Sequence, residues 1–306
     1  FKTRKEGVSR TYKGYDGYAP IMAYIGTEGY LVNAQLREGK QHCQCGTPAF
    51  LRETIALCRQ ITDEPLLIRL DTGNDSAENI GILLESGCYF IIKRNLRRES
   101  KDGWFEMAKA NSQNITIPRE GKTVYTGSDW KPVTYTTEDG VEKNVTIRTG
   151  CEIIERTIDK YGQFLLPSDI EANTWWTNTG MTDAEVIQNY HARGECEQFH
   201  SEIKTDMDVE RLPSGKFETN ELVLELTMID YNILRMIGQE TIGGRGPKPR
   251  HKVHRRRLRT VIGNLIMLAS HITTHARQVV MGLGRSNVWR HAFASKIVSL
   301  YGHTHV

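Results

Sequence analysis

The sequence lacks the features that mark membrane-spanning and zinc-stabilised proteins. No apolar run in its 306 residues approaches the roughly 20 residues that a membrane-spanning helix needs. None of the six cysteines belongs to a Cys-x-x-Cys pair, which argues against a structural zinc site. Cysteines scattered in this way through a long chain are typical of a reducing compartment. We therefore expect a cytoplasmic protein that does not enter a membrane.

Acidic residues are missing from the end of the chain. After Glu240 there is no Asp or Glu, although this tail contains 12 lysines and arginines. The preceding residues contain 28 basic and 37 acidic side chains, a net charge of −9, whereas the whole chain carries +3. A basic region attached to an acidic body is typical of nucleic-acid binding. The alternatives are a tail that promotes solubility and one that binds an anionic membrane surface.

Patterns in the first part of the chain predict both strands and helices. Residues 18–25 and 30–36 are β-prone stretches around a glycine turn, which predicts a hairpin. Thr47 followed by Pro48 predicts the start of a helix, with the threonine as its N-cap. The mixture favours an α/β fold.

Asp71 is a candidate functional residue because of its position after an apolar strand. Residues 65–70 predict this strand, Ser76 predicts the N-cap of a helix that ends at Gly87, and residues 89–93 predict a second strand. This order indicates a parallel pair joined by a crossover, and sites in such sheets gather at the carboxyl ends of strands. Asp71 is therefore either a metal ligand or a turn residue. Asp75 is better placed than Asp71 to be the turn residue.

Residues 115–176 have a different character, rich in Thr, Val, Tyr and Ile and without helical periodicity. They predict short strands separated by turns. The predicted turns are at Gly121, Gly127–Ser128, Glu138–Gly140 and Tyr161–Gly162.

A helix is predicted from about residue 183 to about residue 206. Thr182 and Glu185 form the Ser/Thr-x-x-Glu pattern of a capping box, and no proline follows before Pro213. At about 100° per residue, four polar side chains fall within roughly 60° of one another on this helix. They are Tyr190, Arg193, Glu197 and Lys204. Such a face offers donors to phosphate oxygens and an oxygen ligand to a divalent cation; the alternative is a solvated face with ion pairs.

The spacing of these four residues resembles the Tyr-(2)-Arg-(3)-Glu-(6)-Lys signature of bacterial insertion-sequence transposases, which are DDE enzymes with a ribonuclease H-like fold. The resemblance is closest to the group 1 DDE transposases. It implies that Glu197 is the last of three metal-binding carboxylates, and that Tyr190, Arg193 and Lys204 hold transposon-end DNA. Residues 70–76 are similar to the block that contains the second aspartate of the family, which implies that Asp71 is catalytic and binds metal as well.

The resemblance also implies a domain organisation. A ribonuclease H-like core, in which helices flank a mixed sheet, is expected in two parts, residues 1–112 and 179–240. Residues 113–178 form a β-rich insertion, and residues 241–306 form a basic helical region. In relatives with an insertion here, an aromatic side chain stacks on a flipped base, a role that falls to Trp175 or Trp176 by resemblance; the alternative is two core tryptophans.

Two helices are predicted after the signature. The first has apolar residues between Leu222 and Ile237 and reads as core. The second begins with a basic run that contains Arg255, Arg256 and Arg257 and is predicted to continue to about Arg277. Such a run neutralises DNA phosphates and carries little sequence information.

The first aspartate of the family has no clear counterpart. Residues 5–14 resemble a stretch that follows the first strand in the family, so we expect this aspartate to precede Phe1 and the chain to be incomplete at its N-terminus. Asp16 is the nearest acid of the right type, and its neighbour Gly17 indicates a turn residue instead.

The sequence therefore predicts a transposase that cuts and joins DNA at the terminal inverted repeats of an insertion sequence. The expected cofactor is Mg²⁺ or Mn²⁺, and the expected partners are double-stranded terminal repeats, target DNA and a second copy of the chain, in the bacterial cytoplasm at the nucleoid. The alternatives are a catalytically inactive DNA-binding protein derived from a transposase and a metal-dependent nuclease without transposition.

Overall fold

The computed structural model describes residues 4–111, 114–243, 247–249 and 251–301. The chain divides into two compact units. The continuous unit is His42–Glu195, and the discontinuous unit combines Phe1–Gln41 with Cys196–Val306. The domain boundaries predicted from the sequence describe a different division and remain a prediction.

Strands and helices are numbered in chain order. The strands are β1 (Ser9–Arg10), β2 (Asp16–Gly17), β3 (Ile21–Ile25), β4 (Tyr30–Gln35), β5 (Leu67–Leu70), β6 (Tyr89–Lys93), β7 (Asn114–Arg119), β8 (Lys122–Thr136), β9 (Glu142–Ile158), β10 (Phe164–Thr177), β11 (Ser270–His275) and β12 (Gln278–Leu283). The α-helices are α1 (Thr47–Ile61), α2 (Ala77–Glu85), α3 (Lys101–Asn111), α4 (Asp183–His191), α5 (Glu195–Ser201), α6 (Phe217–Gly243), α7 (Leu258–Val261) and α8 (Arg290–Tyr301). Short 3₁₀ segments cover Thr72–Asn74 and Ala192–Gly194, and π segments cover Glu202–Asp206 and Ile262–Ile266.

In the discontinuous unit, the predicted hairpin is confirmed as the antiparallel pair β3 and β4. Helix α6 is bound to β4 through the side chain of Asn232, which accepts from the Leu31 N–H and donates to its carbonyl, both at 2.8 Å. Tyr231 donates to the carbonyl of Gly29 at 2.9 Å in the turn between the strands. These bonds satisfy backbone groups of the hairpin that would otherwise be buried without partners.

The continuous unit contains a six-stranded mixed sheet in the order β5-β6-β10-β9-β8-β7. Strands β5 and β6 are parallel, as predicted, and the other neighbours are antiparallel. Ser76 caps α2 by accepting from the Asn79 N–H, and Gly87 follows that helix with a φ of 63°. The local signals for this crossover were therefore read correctly.

Helices α3 and α4 pack on opposite faces of this sheet. Trp175 of β10 lies in a cluster with Val186 and Ile187 of α4. Thr174 is the neighbour of Trp175 and pairs with Cys151, which packs against α3. Because successive side chains of a strand point to opposite faces, the sheet has a buried core on both sides.

Three predictions about local structure were wrong. Gly127 and Ser128 lie inside β8 and pair with Cys151 and Gly150 of β9 instead of forming a turn. The strands of this region are long, with 15 residues in β8 and 17 in β9. Thr47 is the first residue of α1, and the N-cap is Gly46 in the left-handed conformation. Strand pairing over many residues outweighs a local glycine signal.

The tail is only partly helical. The helix predicted to reach about Arg277 ends with the π segment Ile262–Ile266, and β11 and β12 follow as an antiparallel hairpin. Ala276 and Arg277 have positive φ values of 48° and 64° and form its turn. The β-branched residues on both sides of this turn favour strands.

Helix α6 is confirmed, but its apolar residues are not all core. Leu224 is buried, whereas Leu222, Leu226, Ile229 and Ile233 are exposed. No helix among the described residues is long and apolar enough to cross a membrane.

We predict that Trp175 is required for the stability of the continuous unit. Its side chain is 0% exposed, so Trp175→Ala is expected to lower the free energy of unfolding by about 3–5 kcal/mol through loss of burial and cavity formation. The control is Trp130→Ala, in β8 of the same sheet and 62% exposed, which is expected to change it by less than about 0.5 kcal/mol. Urea unfolding followed by circular dichroism measures both, and equal effects would contradict the prediction.

Candidate active site and nucleic-acid interface

Asp71 lies directly after β5 in the continuous unit, at the carboxyl end of a strand as predicted. Its side chain is 47% exposed. One carboxylate oxygen, Oδ1, accepts from Asn74 Nδ2 at 2.6 Å, and Oδ2 accepts from Arg193 Nη2 at 3.2 Å. The 3₁₀ segment Thr72–Asn74 brings Asn74 back onto the aspartate. The carboxylate is thus oriented from two sides while it stays open to solvent.

Asp75, four residues later, has the opposite environment. It is buried, and its carboxylate accepts from Trp176 Nε1 at 2.9 Å and from the Asn95 N–H at 2.8 Å. Arg97 lies 3.7 Å from the same carboxylate. Asp75 therefore fastens the loop after β5 to neighbouring strands, the structural job for which it was favoured over Asp71.

Tyr190 and Arg193 come next to Asp71 because α4 is anchored beside β5. Arg69 of β5 donates to the carbonyl of Asn189 at 2.9 Å, which fixes the last turn of α4. Tyr190 is half-buried against Trp175, with ring centroids 5.6 Å apart. Burial raises the pKa of Tyr190, an effect that the charge of Arg193 opposes and that of Asp71 reinforces. The phenol is therefore a neutral donor at physiological pH.

The predicted helix over residues 183–206 is helical throughout but is not one α-helix. It consists of α4, the 3₁₀ segment Ala192–Gly194, α5 and the π segment Glu202–Asp206. The capping box of Thr182 and Glu185 at its start is confirmed. A 3₁₀ segment turns about 120° per residue instead of 100°, so the uniform rotation assumed for the common face does not hold.

Glu197 and Lys204 belong to the discontinuous unit, whereas Asp71, Tyr190 and Arg193 belong to the continuous unit. Both side chains are exposed. Neither forms a hydrogen bond or ion pair through its side chain with any residue that the structure describes. Phe199, between them, is buried against Tyr24 with ring centroids 5.0 Å apart, and this contact fixes α5 in its unit.

Trp175 and Trp176 are both buried. Besides its bond to Asp75, Trp176 lies under the Arg94 guanidinium, 4.3 Å from the ring centroid. Neither ring has an open face of the kind that base stacking needs. Their surroundings fit the alternative of two core tryptophans.

The three arginines of the basic run have partners within the chain. Arg255 forms ion pairs with Glu202 and donates to Gln198 at 2.8 Å. Arg256 donates to Thr241 at 2.8 Å and lies over Trp289 at 4.8 Å. The side chain of Arg257 is 52% exposed and donates to Asp206 through Nε at 2.8 Å and Nη2 at 3.0 Å. Only the third of these guanidinium groups presents a large surface to solvent.

Comparison with protein families gives a match over nearly the whole chain. The model of the transposase DDE domain, group 1, matches residues 3–303. The chain belongs to this family. No curated protein matches it.

DDE transposase domains use divalent metal ions, and carboxylate oxygens are suitable ligands for Mg²⁺ or Mn²⁺. Asp71 and Glu197 fit this chemistry, since each has carboxylate oxygens exposed to solvent. Within the described ranges, no group of three or more His, Cys, Asp or Glu side chains could hold a metal ion. The donor type fits a hard cation, but a full set of protein ligands is not assembled among these residues.

Sequence reasoning missed several residues near Asp71 and Glu197. Asn74 orients Asp71, and its place three residues later in a turn was the signal for it. Glu202, Asp206 and Arg235 were not singled out. The acids lie four residues apart beside Glu197 and Lys204, but nothing in the sequence indicates that their partners are Arg255 and Arg257.

We predict a pH-dependent contribution of Asp206 to stability. Burial acts to raise the pKa of Asp206, but hydrogen bonds from Arg257 and from the Arg259 N–H outweigh it, so the pKa lies below its ordinary value of 3.8. A lowered pKa stabilises the folded state above the unfolded pKa, and this contribution is lost as the pH falls through the folded pKa. Asp206→Asn is expected to lower the free energy of unfolding by about 1–3 kcal/mol at pH 7.

This difference between wild type and Asp206→Asn is expected to shrink below about pH 4. Urea unfolding at several pH values between 3 and 7 measures it. A difference that stays constant over this range would contradict the ionic origin of the effect.

Proposed function

We propose that this chain is a bacterial insertion-sequence transposase that cuts DNA at terminal inverted repeats and joins the freed ends to target DNA. Asp71 and Glu197 bind Mg²⁺ or Mn²⁺ in this proposal. When bound, such ions activate a water or a 3′-hydroxyl and stabilise the leaving oxygen in phosphodiester displacement. The chain acts as a homodimer on paired transposon ends, in the cytoplasm at the nucleoid.

The contact between Asp71 and Arg193 is the observation that carries this proposal. These residues were selected from two sequence blocks that lie 122 positions apart, and their side chains meet at 3.2 Å. Tyr190, from the same signature, is close enough for the charge of Asp71 to affect its pKa. If the signature matched by chance, there would be no reason for Arg193 to contact an aspartate from a separate block of the sequence.

The residues around Asp71 suggest how DNA is held. Arg193 uses Nη2 to bind Asp71, and the rest of its fork remains for a phosphate beside that carboxylate. Tyr190 donates a neutral hydrogen bond to a terminal phosphate. Lys204 acts as an exposed point charge on the DNA backbone. Of Arg255, Arg256 and Arg257, Arg257 is the most available to phosphates because it is the most exposed of the three.

The alternative is a catalytically inactive, transposase-derived DNA-binding protein. This alternative predicts salt-dependent DNA binding without metal-dependent cleavage.

We predict that nicking depends on Glu197 and Asp71. The substrate is a labelled duplex with the terminal inverted repeat that flanks the gene, and the assay is run with Mn²⁺. Glu197→Gln and Asp71→Asn are each expected to lower the rate by about 100-fold or more, since loss of one preorganised electrostatic group in an active site costs on the order of 10²–10³.

Glu195→Gln is the matched control for Glu197→Gln, because it changes an exposed acid two residues earlier in α5 and is expected to keep the wild-type rate. Wild-type nicking rates in Glu197→Gln and Asp71→Asn would refute the roles assigned to Glu197 and Asp71. Binding of the duplex without nicking by the wild type would support the inactive DNA-binding protein instead.

We also predict that Arg255 and Arg257 differ in their contribution to DNA binding. The logarithm of the affinity falls linearly with the logarithm of the salt concentration, by about 0.9 for each phosphate contact. Arg257→Ala is expected to reduce the slope by about this amount, and Arg255→Ala to leave it unchanged because its guanidinium is largely buried. Fluorescence anisotropy at several salt concentrations measures the slopes, and a reversed order would contradict the assignment.

A further inference from the structure

We propose that Glu202 is a positioning residue for Glu197, and that it acts by fastening the helical segment 195–206 to α6 and to the basic run. The catalytic part of this inference rests on the proposed function. Its structural part concerns the discontinuous unit alone and is tested separately.

Glu202 is a buried charge with partners on both carboxylate oxygens. Its side chain is 2% exposed. Oε2 accepts from Arg235 Nη2 at 2.6 Å and from the Leu258 N–H at 3.4 Å, and Oε1 accepts from Arg255. A buried carboxylate is strongly destabilising unless it is paired and hydrogen-bonded. The partners of Glu202 therefore determine where this part of the segment can lie.

The two arginines come from different elements and are held themselves. Arg235, 1% exposed, belongs to α6 and also donates to Tyr231 Oη at 2.8 Å and to the carbonyl of Arg256 at 2.9 Å. Both guanidinium groups lie over the ring of Phe199, at 5.8 Å for Arg235 and 4.6 Å for Arg255. Glu202 and Phe199 thus form one buried face of the segment, against α6 and the basic run.

The exposed face of the segment carries Glu197 and Lys204. At about 100° per residue, Glu197 is about 160° away from Phe199, so the buried face sets the direction of the exposed carboxylate. Arg255 adds a direct constraint, since it donates to the side chain of Gln198, the neighbour of Glu197. A guanidinium that binds both Gln198 and Glu202 fixes the rotation of α5 about its axis.

A second attachment lies one turn further along. The side chain of Asp206 is fully buried and accepts from Arg257 and from the Arg259 N–H at 3.1 Å. Glu202 pairs with Arg255, and Asp206, four residues later, pairs with Arg257, two residues further along the basic run. Two ion pairs in the same chain order hold the basic run in one register.

Stability alone does not require an ion pair at this place, since replacing a buried ion pair by well-packed apolar side chains often leaves protein stability unchanged or higher. What the ionic contact adds is direction, because a carboxylate and a guanidinium accept a narrow range of geometries. A small change in the direction of a catalytic group is costly, as a displacement of about 1 Å can lower a rate by about 100-fold. This is the role that the structure assigns to Glu202.

The test compares Glu202→Gln with Glu225→Gln, which changes an exposed glutamate of α6. Hydrogen–deuterium exchange is measured by mass spectrometry on the full chain without DNA. Glu202→Gln is expected to speed exchange in residues 195–206 and 255–261 while residues 42–190 keep the wild-type rates, and Glu225→Gln to change neither. Unchanged exchange in both segments would overturn the proposal, whether or not the chain cuts DNA.

The second arm is Mn²⁺-dependent nicking at saturating DNA. Glu202→Gln is expected to lower kcat by about 10- to 100-fold with KM for DNA within about twofold of wild type. A triple variant, Glu202→Met with Arg235→Met and Arg255→Met, separates position from stability. The triple variant is expected to have the thermal midpoint of the wild type but the low kcat of Glu202→Gln. Wild-type values of both the midpoint and kcat would overturn the positioning role.

If Glu202→Gln does not fold, Arg255→Lys replaces it, because lysine keeps the charge and loses the fork that joins Gln198 to Glu202. The same local increase in exchange is expected, and its absence would overturn the proposal. A wild-type chain that shows the expected exchange pattern but no nicking would contradict the proposed function and leave the structural part supported.

Discussion

The burial of the Glu202 carboxylate is the constraint on which the discontinuous unit depends. A carboxylate removed from water needs charged partners, and Glu202 has one arginine from α6 and one from the basic run. Arg235 is buried as deeply and needs the carboxylate in turn. The segment 195–206, helix α6 and residues 255–259 are therefore mutually dependent, since displacement of any one leaves a buried charge without its partner.

In the continuous unit, the proposed catalytic aspartate, Asp71, is not buried, in contrast to Glu202. Asp71 is half-exposed and oriented by Asn74 and Arg193. Asp75, in the same loop, is buried and fully used in holding the loop to Trp176 and Asn95. Two aspartates four residues apart thus differ in environment: the Asp75 carboxylate fixes the loop, and the Asp71 carboxylate stays open to solvent. Burial, and not residue type, separates the two roles.

Local signals allowed much of the fold to be predicted. The capping box at Thr182, the N-cap at Ser76 and the strand just before Asp71 each depend on residues within a few positions, and the structure contains all three. The errors concern structure that distant residues decide. Gly127 is a strand residue because β9 pairs with it, and part of α6 is exposed because only one of its faces meets the hairpin.

The site residues selected from the sequence remain a prediction. Their selection rests on residue types and spacing, whereas the contact of Asp71 with Arg193 is seen only when β5 and α4 are placed side by side. The partner of Arg255 is 53 positions away at Glu202, a separation over which a single sequence carries no pairing information. A run of arginines was therefore assigned to DNA as a whole, although its members have different surroundings.

In the proposed function, those surroundings would let one basic run both hold the fold together and bind DNA. A guanidinium has five N–H donors arranged along more than one edge. Arg255 donates from Nη1 to Glu202 and from Nη2 to Gln198 and is largely buried. A phosphate that bound its Nη1 would have to displace the buried carboxylate of Glu202, which water does not reach. Arg257 binds Asp206 along the edge formed by Nε and Nη2, and half of its side chain is exposed. Its remaining edge can meet a phosphate while the carboxylate stays bound, so DNA binding at Arg257 does not require the segment that carries Glu197 to be released.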